Sequence, residues 1–291
     1  YVPDGASVAL GLALESLIPY AAAHEIVRQR KRGLTLIGPI SDILFDTLIG
    51  AGCVTKVTAA WVGNVSEGLA HCYRRAVEKG IPHAITVEEH SNYTIALGLL
   101  AASLDVPYIP TRSLLGSDIP RQNPSLRQSR SELDGTPLLL VPALRPDVTI
   151  LHVQRSDEEG NAHVWGNLGV CEEAMLAARD VILVAEEIVE REVITSDPNR
   201  VIGPSFKVRA VVHEAWGAHP SSVQGYYNRD HQFFHEYHVR TRSVEDFQQW
   251  LDEWVLQVPS RADYVKKLGE ERVRSLGVRE HRYAAQVDYG Y

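Results

Sequence analysis

Short apolar runs rich in Val, Ile and Leu recur along the first part of the chain, at residues 7–11, 34–37, 54–60, 148–154, 181–185 and 208–212. Several are apolar on both faces, which suits strands covered by helices on each side. Between them lie helical patterns at 19–30, 40–49, 67–79, 91–103 and 171–179. Pro19 fits the first turn of its helix, and Gly33 and Gly80 fall near helix ends. This alternation predicts an α/β fold with an open, largely parallel sheet and helices on both faces. Past residue 221 the chain turns aromatic and helical, with Phe247, Trp250, Leu251, Trp254 and Val255 at helical spacing within 243–255. No composition break demands a second domain, so residues 1–291 read as one domain whose 222–291 stretch is a mainly helical extension. The 117–137 segment interrupts the pattern with Pro120, Pro124 and Pro137 and with Arg121, Arg127 and Arg130. It reads as a long loop, either partner-binding or a mobile surface insertion.

Charge and cysteine usage narrow the function. A net charge of −8 argues against a nucleic-acid binder, which needs a basic face. It also repels anionic ligands at long range, so a carboxylate or phosphate must be held by local donors. Cys53, Cys72 and Cys171 lie far apart, without a CxxC pair, and point to a reducing cytoplasm. No apolar run approaches the roughly 20 residues a membrane span needs. The chain opens at Tyr1 inside a Gly/Asp turn, so further N-terminal residues are expected.

Candidate chemistry is scattered. The stretch Gly11-Leu12-Ala13-Leu14-Glu15-Ser16 keeps only the first glycine of a GxGxxG pattern, which gives a dinucleotide site little support. Gly11 still stands at a strand end, where substrate can approach backbone N–H groups. His231, His235 and His238 share a helical face, but their neighbours suit a solvated surface better than a metal, and no metal is expected. There is no HExxH and no GxSxG, and Cys72 reads as core. Glu88-Glu89-His90-Ser91 lies at a predicted strand-to-helix junction, and Glu186-Glu187 follows the 181–185 strand. Either pair can line a cleft or serve only as a helix cap or solvated end. Trp61, Tyr73, Tyr93 and Tyr108 read first as core and second as an aromatic pocket.

Taken in order, these stretches resemble the A (alpha) subunit of class I CoA-transferases, of the glutaconate CoA-transferase type. Val8-Ala9-Leu10-Gly11 through Ile18-Pro19-Tyr20-Ala21 resembles the family's opening strand and turn. Leu34-Thr35-Leu36 through Leu48-Ile49-Gly50-Ala51-Gly52 is similar to its "LTL … LIGxG" section, and Val106-Pro107-Tyr108-Ile109-Pro110 with Leu115-Gly116-Ser117 to its "PFLP … GS" loop. Val141 to Val148, His152-Val153-Gln154, Asp157, Gly160 and Trp165-Gly166 resemble "VDVAIIHAQ … DGxxxxWG". Glu186-Glu187-Ile188 matches "EEI", and Gly217-Ala218-His219-Pro220-Ser221 with Gly225-Tyr226-Tyr227 matches "GAHPS … GxY". The family's double glycine after the first strand is Gly11-Leu12 here, with Glu15 following.

The resemblance implies a CoA-transferase or NagB-like architecture and a heteromer, α2β2 or larger, with a beta subunit. Coenzyme A would be a substrate, as acyl-CoA, and a carboxylic acid the acceptor. In such enzymes a beta-subunit glutamate attacks the thioester and captures CoA as a glutamyl-CoA thioester. This chain shows no match to that glutamate's motif, so no catalytic nucleophile is expected on it. Gly63-Asn64, Glu89-His90 and Gly116-Ser117, each after a predicted strand, are expected to form the acyl-group pocket with Gly11. Glu89 is also a candidate base if burial or like charge raises its pKa. Two alternatives use the same scaffold: a component of a hydrolase that cleaves ring-derived CoA thioesters, and a non-catalytic ligand sensor.

Overall fold

The computed structural model describes residues 1–278 and 287–290. The chain runs β1 (Ser7–Ala9), α1 (Tyr20–Arg28), β2 (Leu34–Gly38), α2 (Asp42–Gly50), β3 (Val54–Ala59), α3 (His71–Lys79), β4 (Thr86–Glu89) and α4 (Asn92–Ser103). It continues through β5 (Tyr108–Thr111), α5 (Ile119–Gln122), β6 (Arg127–Arg130), β7 (Pro137–Pro142), β8 (Val148–Ser156), β9 (Ala162–His163) and α6 (Cys171–Ala177). Then come β10 (Asp180–Ile188), α7 (Arg191–Thr195), β11 (Val208–His213), α8 (His231–Arg240), α9 (Val244–Leu251), α10 (Arg261–Leu268) and α11 (Glu270–Leu276).

Every apolar run named from the sequence is a strand of the main sheet. Its order is β11-β10-β8-β1-β2-β3-β4, with all neighbours parallel and β9 antiparallel on the end of β8. Register places Ile150, Ile182 and Ala210 side by side, while the next row, Leu151, Leu183 and Val211, points to the opposite face. The first face packs under α1, α2 and the C-terminal helices, and Phe233, Phe234, Tyr237 and Trp250 share one core with Val8, Leu36 and Val57. The second face packs under α4 and α6, with Ile95, Leu99, Ala174 and Met175. α4 is apolar all round because it lies between that face and a second, three-stranded antiparallel sheet.

That small sheet, in the order β5-β7-β6, corrects the expectation of a long loop at 117–137. Arg127–Arg130 pairs antiparallel with β7, and Leu126, Leu139 and Val141 pack with Leu97 of α4. The segment conceals its strand because β6 has every side chain exposed, so nothing in its composition shows a buried face.

The C-terminal helices are bound by both packing and charge. A Cβ at Gly50 would stand 2.5 Å from Phe247 Cζ, so α2 and α9 meet with no room for another side chain. Asp230 caps α8 by accepting from Phe233 N (3.0 Å). Its Oδ2 lies 2.9 Å from His219 Nε2, and Arg272 Nη2 donates to its Oδ1 at 2.9 Å. His219 Nδ1 lies 2.9 Å from Tyr264 OH. Arg261 donates to the carbonyls of Trp216 and His219.

Burial pushes His219 down to about 4, against the pull of Asp230. A histidine that resists protonation in the folded state contributes stability that is complete above the unfolded pKa near 6.5 and is lost as pH falls below it. Urea unfolding should therefore show stability falling between pH 6.5 and about 4, by roughly 1.4 kcal/mol per pH unit for this residue. His219→Gln should flatten the slope. An unchanged slope in that variant would assign the acid sensitivity to other groups.

Candidate active site

The parallel sheet delivers the carboxyl ends of β1, β2, β3 and β4 to one edge. At the first two, Ser41 Oγ donates to Leu10 O (3.1 Å), and a Cβ on Gly11 would stand 2.3 Å from Ser41 Oγ. The close approach that Gly11 permits is thus made by Ser41. The following turn is strained, with Leu14 (φ 62°) and Leu17 (φ 54°) in the left-handed region. Asn167 Nδ2 holds Ala13 O at 3.0 Å, and Val170 N holds Leu12 O at 3.0 Å.

The loop after β3 is anchored from below. Trp61 folds its ring over Gly63, where an added Cβ would lie 2.1 Å from the indole. Asn64 is fully buried: its Nδ2 donates to Phe234 O (2.8 Å) and its Oδ1 accepts from Ser66 N (3.1 Å). Beneath it Asp42, left-handed at φ 48°, forms a buried ion pair with Arg229 (2.7 Å). Asp42 Oδ1 also accepts from Val65 N (3.2 Å), and Arg229 Nη2 donates to Ser66 Oγ (2.9 Å). Asn64 therefore directs its side chain into the protein and ties the loop to α8.

The end of β4 separates its two glutamates. Strand alternation puts Glu88 and His90 on one side and Glu89 on the other. His90 is buried, with Nε2 3.4 Å from Glu88 Oε1 and Nδ1 3.2 Å from Thr94 Oγ1 in the capping box that starts α4. Glu88 also accepts from Ser125 Oγ (2.9 Å) and pairs with Lys56. His90, Lys56 and Ser125 together hold its carboxyl well below the usual carboxylate range. Of the two glutamates Glu88 is the one that partners His90, and Glu89, the candidate base, is exposed rather than buried. Only the Glu89 backbone carbonyl is tied down, by Asn123 Nδ2 at 2.9 Å. Burial, aided by the nearby Glu89 carboxylate, holds the Tyr73 phenol above its ordinary range.

Asn123 and Ser125 bring the 111–125 segment against this end of β4. Gly116 and Ser117 lie exposed in that segment, and Ser117 N and Oγ both donate to Leu114 O (3.0 and 3.1 Å). Lys56 and Ser125, distant from Glu88 in the chain, carry no sequence mark of their partnership with it. Period-two alternation along β4 was the signal that could have paired Glu88 with His90.

The other constellations resolve differently. β10 runs on to Ile188, so Glu186 and Glu187 lie within the strand. Glu186 is buried and saturated by His152 Nε2 (2.7 Å), Tyr227 OH (2.5 Å) and Trp216 N (2.7 Å). His235 pairs with Glu67 (2.8 Å), while His238 packs on His71 with ring centroids 4.7 Å apart. Among the described residues no group of three or more His, Cys, Asp or Glu side chains could hold a metal. Trp61, Tyr93 and Tyr108 are exposed rather than core, and Tyr73 is half-buried. No helix of the described residues is long and apolar enough to cross a membrane.

Residues 1–214 match the family model described as Coenzyme A transferase. The chain is 40% identical over 270 residues to the A subunit of 3-oxoadipate CoA-transferase from Pseudomonas knackmussii, covering 93% of this chain and 95% of that one. It is 30% identical over 270 residues to a cholesterol ring-cleaving hydrolase IpdA subunit of Rhodococcus jostii, covering 87% and 88%. The crystal structure of glutaconate coenzyme A-transferase from Acidaminococcus fermentans superposes with a TM-score of 0.89 at 29% identity, over 99% of this chain and 95% of that one.

The ion pair beneath the β3 loop can be tested directly. Arg229→Met leaves Asp42 buried and unpaired and should destabilise the fold by about 3–5 kcal/mol in urea unfolding. The double variant Asp42→Asn/Arg229→Met should recover most of that loss. If the single and double variants unfold alike, the pair is not the anchor.

Proposed function

The chain belongs to the coenzyme A transferase family, and from that premise we propose that it is the acyl-binding half of a two-subunit enzyme whose attacking carboxylate comes from the companion subunit. The observation that carries this reading is the condition of the nucleophile candidates among the described residues. Burial pushes the Cys53 thiol up to about 11 and Cys171 up to about 12, and raises Cys72 as well, so none is a thiolate near neutrality. Glu88 and Glu186 are saturated by donors, and Asp42 is locked to Arg229. Glu89 is exposed, but no donor fixes its side chain as an attacking nucleophile requires.

In the proposed cycle the companion's glutamate attacks the acyl-CoA carbonyl, the C–S bond breaks, and CoA leaves as thiolate, with the acyl group now joined to the glutamate as a mixed anhydride. The thiolate then attacks the glutamyl carbonyl, forming the glutamyl-CoA thioester and releasing the donor acid. The acceptor carboxylate repeats these steps in reverse. On this chain Gly63-Asn64 shape the pocket through the anchored β3 loop, and exposed Gly116-Ser117, whose Ser117 donors are taken by Leu114 O, contribute the shape of their turn. His90 keeps Glu88 in place, so Glu89 is left to face the acyl group and handle protons. Gly11 acts at one remove, by letting Ser41 close the β1–β2 edge. The relatives' names carry 3-oxoadipate and glutaconate, both dicarboxylates, and we extend that substrate class to this chain. An α2β2 or larger assembly and a cytoplasmic setting complete the proposal; free Cys53, Cys72 and Cys171 suit a reducing compartment. The C-terminal helices share the sheet's core, which supports a single domain over 1–291.

The likeness to the ring-cleaving hydrolase component favours one second reading, in which Glu89 is a base and water the co-substrate. Family membership leaves the ligand-sensor reading without support.

Expressed alone, the chain should exchange no CoA between donor and acceptor, and adding its companion should restore exchange. Glu89→Gln in the assembled enzyme should lower kcat by about 100-fold or more, with little change in melting temperature. Exchange by the lone chain would end the half-enzyme reading, and turnover with water and no acceptor acid would favour the hydrolase.

A further inference from the structure

A cavity of about 490 Å³ opens on the sheet face between α1 and the start of α10. Its floor is Ile150, Ile182, Val184, Ala210 and Val212, which the strand register sets side by side across β8, β10 and β11. Ala21, Ala22 and Ile26 of α1 form one wall. Val212 remains 41% exposed in a face that is elsewhere covered by helices. The size and the apolar floor are those of a small-molecule site.

Polar side chains line the rest of the cavity: His24, Arg28, Glu214 and Arg261 beside this floor, and Tyr1 and Lys31 as well. Arg261 is 5% exposed and lines the cavity. Its Nε and Nη2 donate to the Trp216 and His219 carbonyls and its guanidinium lies over the Tyr264 ring (3.8 Å), while Nη1 is buried with no hydrogen-bond partner among the described residues. Ser260 and Ala262 line the same end, so the amino terminus of α10 opens there too. Folded proteins leave few buried donors unpaired, and a guanidinium N–H is among the costliest to leave so. Arg28 is already engaged by the Val255 and Val258 carbonyls and by Glu25. Glu214 faces the cavity, and burial holds its carboxyl above the ordinary carboxylate range.

We propose that this cavity binds a small amphipathic monocarboxylate, with its head on Arg261 Nη1 and the first turn of α10 and its aliphatic body along the β8–β10–β11 floor. An anionic head fits the unpaired cation, and a short aliphatic chain fits a floor without polar side chains.

Titration calorimetry on the chain assembled with its companion tests this, using sodium octanoate and n-octylammonium chloride as probes. Octanoate should bind, and octylammonium at least about tenfold more weakly. Ala210→Phe fills the floor and should weaken octanoate by about tenfold or more, as overpacking of a filled site does. Val212→Phe, at the half-exposed end of the same floor, is the second variant should the first misfold. The readout is binding, so the result stands apart from the CoA-transfer reading. Equal binding of both probes, or unchanged affinity in the folded variants, would overturn the proposal. So would no binding at all, or binding by the isolated chain that is lost on assembly, which would make the cavity a seat for the companion.

Discussion

Every neighbouring pair along the main sheet's strand order is parallel, and the rest of the molecule follows from that constraint. Parallel strands need a crossover between each pair, so helices cover both faces and every carboxyl end arrives at one edge. The order also reverses direction at β1: β2, β3 and β4 extend one way, and β8, β10 and β11 the other. Open α/β sheets usually bind ligand in the crevice at such a reversal. Here the left-handed 11–17 turn occupies that crevice, held by Asn167 and Val170 from the far side. With the crevice filled by chain, the accessible carboxyl edge moves outward to β3 and β4, where Trp61 and Glu89 are exposed.

What fixes that outer edge is the C-terminal part of the chain. Arg229 and Phe234 reach the loop after β3 through Asp42, Ser66 and Asn64, so helices late in sequence set a loop early in sequence. Buried pairs of this kind add little net stability over apolar packing, but they are intolerant of losing one partner. They also have few alternative arrangements, which suits a loop that must hold one shape. Asp230 plays the corresponding part for the helices themselves, joining His219, Arg272 and the start of α8.

The inner strands of the main sheet were legible because they are buried on both faces, and continuous Val/Ile/Leu runs admit few other readings; the edge strand β4 is largely exposed and is not one of those runs. The small sheet was not, because proline and arginine in 117–137 mask a strand whose burial falls on β7 rather than β6. At the site, the junction at 88–91 could be read from the sequence, but the contact of Glu88 with His90 was not drawn from it, although geometry in a strand favours residues two apart. Glu186-Glu187 went astray for a related reason, since β10 continues through them and buries one of the two. The cavity over β10 and β11 was out of reach, because it depends on where α1 and α10 end relative to strands far away in sequence.

Charge distribution shows how an acidic chain can still receive anions. Several of its carboxylates are satisfied within the fold: Asp42 pairs with Arg229, Asp230 with Arg272 and Glu88 with Lys56, while buried Asp46 and Asp157 accept hydrogen bonds from Tyr237 and Asn161. What remains at the surface is uneven. Between residues 111 and 130 the chain exposes Arg112, Arg121, Arg127 and Arg130 against a single acidic residue, Asp118, and Asn123 and Ser125 pin this stretch beside Glu88 and Glu89. The Debye length at physiological salt is about 8 Å, so an approaching anion responds to this local excess more than to the distant net charge. The edge that presents Glu89 is therefore locally basic on a chain of net charge −8. An anion can reach that edge without crossing the repulsion that the overall charge implies.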